Sequence, residues 1–71
     1  MMHLNSNFTL MKGIDAQNNG RFEEAKKLYK LVLLSEPNNS DAHHNLGIIS
    51  LIYSKLDDAL VNFKNALTSN P

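Results

Sequence analysis

Apolar, small and charged positions in the first half of the chain recur in the second half in the same order. A shift of 34 places (47 − 13 = 34) carries Gly13 onto Gly47, and it also carries Ala25 onto Ala59. The same shift pairs further residues of like character: Ile14 with Ile48, Glu23 with Asp57, Glu24 with Asp58, Tyr29 with Phe63, Lys30 with Lys64, Val32 with Ala66, Leu33 with Leu67 and Pro37 with Pro71. Matches of so many residue types in one order indicate a tandem duplication.

Turn signals divide each copy into two helices. Proline, which the interior of a helix does not tolerate, closes the copies at Pro37 and Pro71. The segment Asn18–Gly20 supplies a turn within the first copy, because glycine readily adopts a positive φ. Tyr53–Lys55 gives a weaker break in the second copy, since serine stands where glycine stood. The predicted helices span about 6–18, 22–35, 40–53 and 56–69.

Small side chains indicate how the two helices of a copy pack. Gly13 and Ala25 remove bulk where the helices cross, as do their counterparts in the second copy. Tyr29 follows Ala25 by one helical turn on the same face, and its ring is predicted to fill the crossing. Asn39 or Ser40 is expected to cap the third helix. The fold class predicted from these features is all-α, with two helix-turn-helix hairpins.

Length and composition limit the kind of molecule this can be. The 71 residues, with 42% hydrophobic content, fit a single folded domain over 1–71, with repeat one at about 6–39 and repeat two at about 40–71. The absence of cysteine excludes disulfides and thiolate metal sites. A formal charge of zero gives no electrostatic reason to expect nucleic acid or a membrane as partner. Without a signal-peptide pattern or a membrane-spanning run, the expected location is cytoplasmic.

Both copies resemble the tetratricopeptide repeat (TPR), whose pattern is W-x2-L-G-x2-Y, then A-x3-F, then P. The second copy matches at Leu46-Gly47, Ala59-x3-Phe63, Ala66-Leu67 and Pro71, and the first at Gly13, Gly20, Ala25-x3-Tyr29 and Pro37. The copies depart from the pattern at the tryptophan site (Thr9, His43), the leucine site of the first copy (Lys12) and the tyrosine site (Ala16, Ser50). The resemblance implies a short right-handed α-solenoid whose first helices line a concave groove. It also implies protein or peptide binding, and no catalysis.

The adjacent histidines do not fit a metal site. On a helix, His43 and His44 point about 100° apart, whereas helical metal pairs are four residues apart. We expect His43 to occupy the aromatic site of the repeat and pack partly against the following helix, and His44 to face the groove. Neighbouring carboxylates such as Asp57 and Asp58 also diverge, and no nucleophile or phosphate-loop pattern accompanies them. The predictions are no enzyme activity, no metal and no cofactor.

By the same resemblance, the inner face of each first helix supplies the groove. The predicted groove residues are Asn7, Leu10, Ile14, Asp41, His44, Asn45, Ile48, Leu51 and Ile52, with Gln17 and Asn18 as further candidates. An acidic-tail clamp known in the family is disfavoured, because Leu10 and Ile14 stand at its lysine and asparagine sites. An apolar groove would suit an amphipathic helix. The alternative is that Ile48, Leu51 and Ile52 only pack on neighbouring helices.

Apolar residues outside that groove predict a second contact surface. Leu31, Leu34, Leu60, Val61 and Leu67 fall where solvated faces are expected, and they are the candidates for self-association as a homodimer. A different cover for Leu31 and Leu34 would be the N-terminal residues Met1, Met2, Leu4 and Phe8. A solenoid generally needs about three repeats, so a further alternative is a truncated N-terminal arm of a glycosyltransferase-like or sulfotransferase-like enzyme. A homo-oligomerisation unit without a groove ligand also stays open.

Overall fold

Four α-helices make up the fold in a computed structural model that describes residues 5–69. They are α1 (Ser6–Asn18), α2 (Phe22–Ser35), α3 (Ser40–Ile52) and α4 (Leu56–Ser69), and residues 5–69 contain no strand. The helices pack as two hairpins, α1 with α2 and α3 with α4, stacked in a TPR-like arrangement through α2 and α3. The predicted all-α fold class is confirmed. The expected N-terminal cover by Met1, Met2 and Leu4, and the closing Pro71, lie outside the described residues.

The first helix of each hairpin begins at an asparagine cap. The side chain of Asn5 accepts a hydrogen bond from the N–H of Phe8 at 3.1 Å, at the start of α1. Asn39 accepts one from the N–H of Ala42 at 2.9 Å, at the start of α3. Each cap satisfies a backbone donor that has no partner within the helix. Of the two expected caps for the third helix, Asn39 is the one that forms.

The turn within each hairpin is built twice with the same hydrogen bonds. The N–H groups of Arg21 and Lys55 each donate to the carbonyl five positions earlier at 2.8 Å, which is the long bond of a Schellman motif. The residue before each donor is left-handed, with φ of 77° at Gly20 and 59° at Ser54. The two first helices accordingly end at equivalent positions, α1 at Asn18 and α3 at Ile52 (18 + 34 = 52), the latter one residue before the approximate predicted end at 53.

Each hairpin closes where an aromatic ring lies against a glycine. A Cβ atom added at Gly13 would lie 2.6 Å from Cε1 of Tyr29, and one at Gly47 would lie 2.6 Å from Cε1 of Phe63. Real Cβ atoms do not approach a ring that closely, so only glycine permits these crossings. The small residues predicted at the crossings are all buried: Gly13, Ala25, Gly47 and Ala59.

The core lies mainly along α2 and α3. Its buried members are Ala16, Ala25, Tyr29, Val32, Ala42, Leu46 and Ile49. Since α2 packs on both α1 and α3 whereas α4 packs extensively only on α3, the two aromatic anchors differ in burial. Tyr29 is fully buried, while its counterpart Phe63 is only half-buried.

Apolar side chains remain open on the outer surfaces of α2 and α4. The five self-association candidates expose these fractions of their surface: Leu31 42%, Leu34 79%, Leu60 67%, Val61 58% and Leu67 77%. Phe8, expected as part of a cover, is itself 58% exposed. Self-association requires exposed apolar surface of this kind, but exposure alone does not show contact between copies, so self-association stays a prediction.

Candidate functional site

The predicted groove residues all reach the surface of α1 and α3. Exposed members are Asn7, Ile14, Asp41, His44, Leu51 and Ile52, and partly buried ones are Leu10, Asn45 and Ile48. None of the nine is a fully buried core residue. Purely internal packing therefore does not account for Leu51 and Ile52, which expose 45% and 48% of their surface.

A buried tyrosine hydroxyl joins the two helices that carry these candidates. Tyr29 of α2 donates a hydrogen bond to Oε1 of Gln17 on α1 at 2.5 Å. The side chain of Asn45 on α3 interacts with the same hydroxyl. Burial raises the pKa of Tyr29 to about 12, and the contact with Asn45 opposes this rise only in part. The hydrogen bond to Gln17 ties α2 to α1, and the raised pKa shows its effect only in alkali.

The second hairpin replaces this polar contact with apolar residues. The positions equivalent to Gln17 and Tyr29, 34 residues on, are Leu51 (17 + 34 = 51) and Phe63 (29 + 34 = 63). The first hairpin thus has an amide and a hydroxyl at these two positions, whereas the second has the apolar side chains of Leu51 and Phe63. The surface offered by α1 and α3 thus includes the partly buried amides of Gln17 and Asn45 as well as the exposed apolar side chain of Leu51.

The two histidines have separate structural roles. His43 is partly buried, and its Nε2 lies 2.8 Å from the carbonyl oxygen of Pro37 in the loop between hairpins. The ring of His44 is exposed and lies beside Phe63, with ring centroids 5.5 Å apart. This position is on the side of α3 that meets α4, and the expectation that His44 faces the groove stays a prediction. Within residues 5–69, no group of three His, Cys, Asp or Glu side chains is close enough to hold a metal ion.

A shallow cleft at one end of α3 connects the groove candidates to α4. Its volume is about 240 Å³, and it is lined by Ser40, Asp41, His44, Ala66 and Leu67. The structure thus brings two predicted groove residues together with a residue predicted for self-association. Asp57 and Asp58, the adjacent carboxylates, lie exposed in the first turn of α4.

Two features of the structure were not predicted from the sequence. One is the hydroxyl of Tyr29, for which the available signal is tyrosine at a core position whose duplicate holds phenylalanine. The other is a cleft of about 380 Å³ between α2, α3 and α4, to which lysines contribute. That cleft had no sequence signal, because its lining comes from three helices and a turn that are separated along the chain.

Among the described helices, none combines the length and the apolar character needed to cross a lipid bilayer.

Comparison with known proteins gives similarity to one kind of protein. The chain is 37% identical over 62 residues to photosystem I assembly protein Ycf3 of Prochlorococcus marinus strain MIT 9301, and equally to that of strain MIT 9215. In each case the match covers 83% of this chain and 36% of the relative. No family model matches the sequence, and no solved structure matches it. The chain thus spans about a third of the length of the curated relatives it matches.

Proposed function

We propose that this chain is a non-catalytic protein-interaction module of the TPR type, whose α1 and α3 bind an amphipathic helix of a partner protein. The observation that carries the proposal is an apolar set on α3, in which Leu51 and Ile52 are exposed and Ile48 is partly buried, on the first helix of a repeated glycine-aromatic hairpin. The similar Prochlorococcus proteins are named as assembly proteins, and assembling a complex requires contact with other proteins. Membership of the TPR family and a right-handed solenoid are part of this proposal.

The distribution of polarity on α1 and α3 favours an amphipathic partner. Leu51 and Ile52 offer apolar surface to one side of a bound helix. Gln17 and Asn45, both partly buried next to the Tyr29 hydroxyl, offer amide groups to its other side. An amphipathic helix presents one apolar and one polar stripe, which matches both sides.

Selection of helical peptides against the chain tests this proposal. Peptides chosen from a display library would be titrated into the labelled protein while backbone amide resonances are followed by NMR. We expect shifts at Asn45, Ile48, Leu51 and Ile52, and a loss of affinity of about tenfold or more for Leu51→Asp. Leu56→Asp at the start of α4 is the matched control, because it introduces the same charge at an exposed leucine away from α1 and α3. If every selected peptide kept its affinity for Leu51→Asp, or if none shifted these amides, the proposal would be contradicted.

Other parts of the interpretation stay predictions. The comparisons give no support for an arm of a glycosyltransferase or sulfotransferase, since the similar proteins carry an assembly name. A cytoplasmic location, and the exclusion of nucleic acid and membrane as partners, remain expectations from composition. Homodimerisation is proposed for the open surface of α4, where Leu60, Val61 and Leu67 are exposed.

A further inference from the structure

A basic cleft opens on the side of the molecule formed by α2, the C-terminal half of α3 and α4. Its volume is about 380 Å³. Three lysines line it, two from α2 and one from the turn before α4: Lys26, Lys30 and Lys55. Leu46, Ile49 and Val61 supply apolar wall, and Ser50, Tyr53 and Asn62 supply neutral polar groups. Asp58 is the one carboxylate in this lining, so positive charge prevails in a molecule whose formal net charge is zero.

Two of the three lysines have no carboxylate partner in the described chain. Lys26 lies 3.7 Å from a carboxylate oxygen of Glu23 and 6.0 Å from the ring centroid of Tyr53. Lys30 and Lys55 form no ion pair within 4.0 Å among residues 5–69. Two ammonium groups on neighbouring elements are therefore available to an anionic partner, and a shared cleft raises the attraction above that of an isolated surface lysine.

An apolar surface adjoins the cleft along α2. Leu31 and Leu34, at 42% and 79% exposure, line a shallow hollow together with Lys27 and Lys30. Lys30 lines both this hollow and the basic cleft, so the two form one continuous surface. We call this surface, made of Lys26, Lys27, Lys30, Leu31, Leu34 and Lys55, the α2 outer face. Residues three apart on a helix share a side, so Lys27 with Lys30 and Leu31 with Leu34 form two short stripes.

A second copy of the chain is a poor occupant of the α2 outer face. A symmetric dimer places a surface patch against the same patch of the partner. Lys27 and Lys30 of both copies would then be brought into one interface, and gathering like charges there is costly. Self-association is therefore expected through the leucines of α4 and not through those of α2.

We propose that the α2 outer face binds an acidic amphipathic helix of a partner protein. The leucine or isoleucine stripe of such a helix would cover Leu31 and Leu34, and its flanking glutamates or aspartates would pair with Lys27, Lys30 and Lys55. This proposal is independent of the surface on α1 and α3, because the residues that carry it lie on α2 and in the turn before α4.

The probe is a synthetic peptide of about five helical turns, with leucines at helical spacing flanked by glutamates. Titrated into the isotope-labelled chain, it is expected to shift the amides of Lys27, Lys30, Leu31, Leu34 and Lys55. Lys27→Glu/Lys30→Glu should weaken binding by about tenfold or more, and so should Leu34→Asp. Raising the salt from about 50 to about 300 mM should also weaken it, because these charges are exposed.

Two controls make the outcome decisive. Lys12→Glu/Lys64→Glu changes the net charge by the same amount outside both hollows, and should leave affinity within about twofold. Leu51→Asp, which tests the α1 and α3 surface, should also leave it unchanged. Equal losses in the two double variants, or shifts confined to α1 and α3, would overturn the proposal. A last experiment uses vesicles of phosphatidylserine and phosphatidylcholine to test whether the partner is a lipid surface. The proposal would also be overturned if Lys27→Glu/Lys30→Glu abolished binding to these vesicles but left peptide binding intact.

Discussion

At the scale of single residues, two glycines decide how near the helices of each hairpin approach. Any side chain at Gly13 or Gly47 would collide with an aromatic ring of the neighbouring helix. The two rings differ in freedom, however. Tyr29 is fully buried and held by a hydrogen bond to Gln17, whereas Phe63 is half-buried and has no polar group to hold it. The same substitution should therefore cost more in the first hairpin.

Gly13→Ala is expected to destabilise the fold, and more than Gly47→Ala. Overpacking costs about 1–3 kcal/mol, which exceeds the roughly 1 kcal/mol that alanine contributes as a better helix former. Urea unfolding followed by circular dichroism measures both free energies of unfolding. A stabilising effect of Gly13→Ala would contradict the crossing geometry.

Because the hydroxyl of Tyr29 is buried, we expect the fold to lose stability in alkali. The pKa of this residue is raised from 10.0 to about 12 in the fold, so folding favours the neutral form. Its contribution is fully present below pH 10 and is lost as the pH rises through about 12. The free energy of unfolding should fall between these values by at most about 1.4 kcal/mol per pH unit.

Tyr29→Phe supplies the control for this pH dependence. The variant should lose less stability than the native chain between pH 10 and 12, because it lacks the hydroxyl whose pKa the fold raises. At neutral pH it should be less stable by about 1–2 kcal/mol, since amide groups near the hydroxyl lose a partner. Identical pH profiles for the two proteins would show that the hydroxyl is not buried as described.

At the scale of elements, the same turn is made with two different residues. Gly20 and Ser54 both adopt a left-handed conformation in a Schellman motif, but only glycine does so without steric cost. Gly20 meets no atom within 4 Å at its Cβ position, so conformation alone explains its use there.

Ser54→Gly is expected to stabilise the chain by up to about 1 kcal/mol, because it removes the steric penalty at positive φ. Gly20→Ser should destabilise it by a similar amount, which makes the pair a matched exchange between equivalent turns. Thermal and urea unfolding of both variants provide the measurement. Destabilisation by Ser54→Gly would mean that the second turn does not copy the first.

The helices were predictable from sequence because their ends depend on local chemistry. Asn39, Pro37 and Gly20 act within a few residues of themselves, and every helix end lies within one residue of its approximate predicted position. The contact of Tyr29 with Gln17 and Asn45 depends instead on three helices meeting, which local signals do not specify. The groove residues came from a family resemblance, and their use in binding is still a proposal.

At the scale of the whole molecule, the two ends of the helix stack differ. The positions of α1 equivalent to Leu46 and Ile49, which α3 contributes to the core, hold Lys12 (46 − 34 = 12) and Asp15 (49 − 34 = 15). The outer side of α1 is therefore charged. On α4, the position equivalent to Leu33 holds Leu67, which is 77% exposed. Neither this asymmetry nor the basic cleft is evident from composition, because the net charge of the chain is zero.

This asymmetry predicts self-association through α4. Sedimentation of the chain at tens of micromolar should show a species heavier than the 8.0 kDa monomer. Leu60→Asp/Leu67→Asp should return it to a monomer, because burying a carboxylate in an apolar contact is unfavourable. Leu31→Asp/Leu34→Asp on α2 is the matched control and should not change the mass. If the native chain sediments as an 8.0 kDa monomer and unfolds cooperatively, this prediction is contradicted.

The duplicated crossing of glycine and aromatic ring is the central claim, and proton NMR tests it most directly. Nuclear Overhauser contacts are expected from the Hα protons of Gly13 to the ring protons of Tyr29, and from those of Gly47 to the ring protons of Phe63. Observation of both contacts in one spectrum would support two copies of one hairpin. If the chain is helical and neither contact is seen, the account of its fold is contradicted.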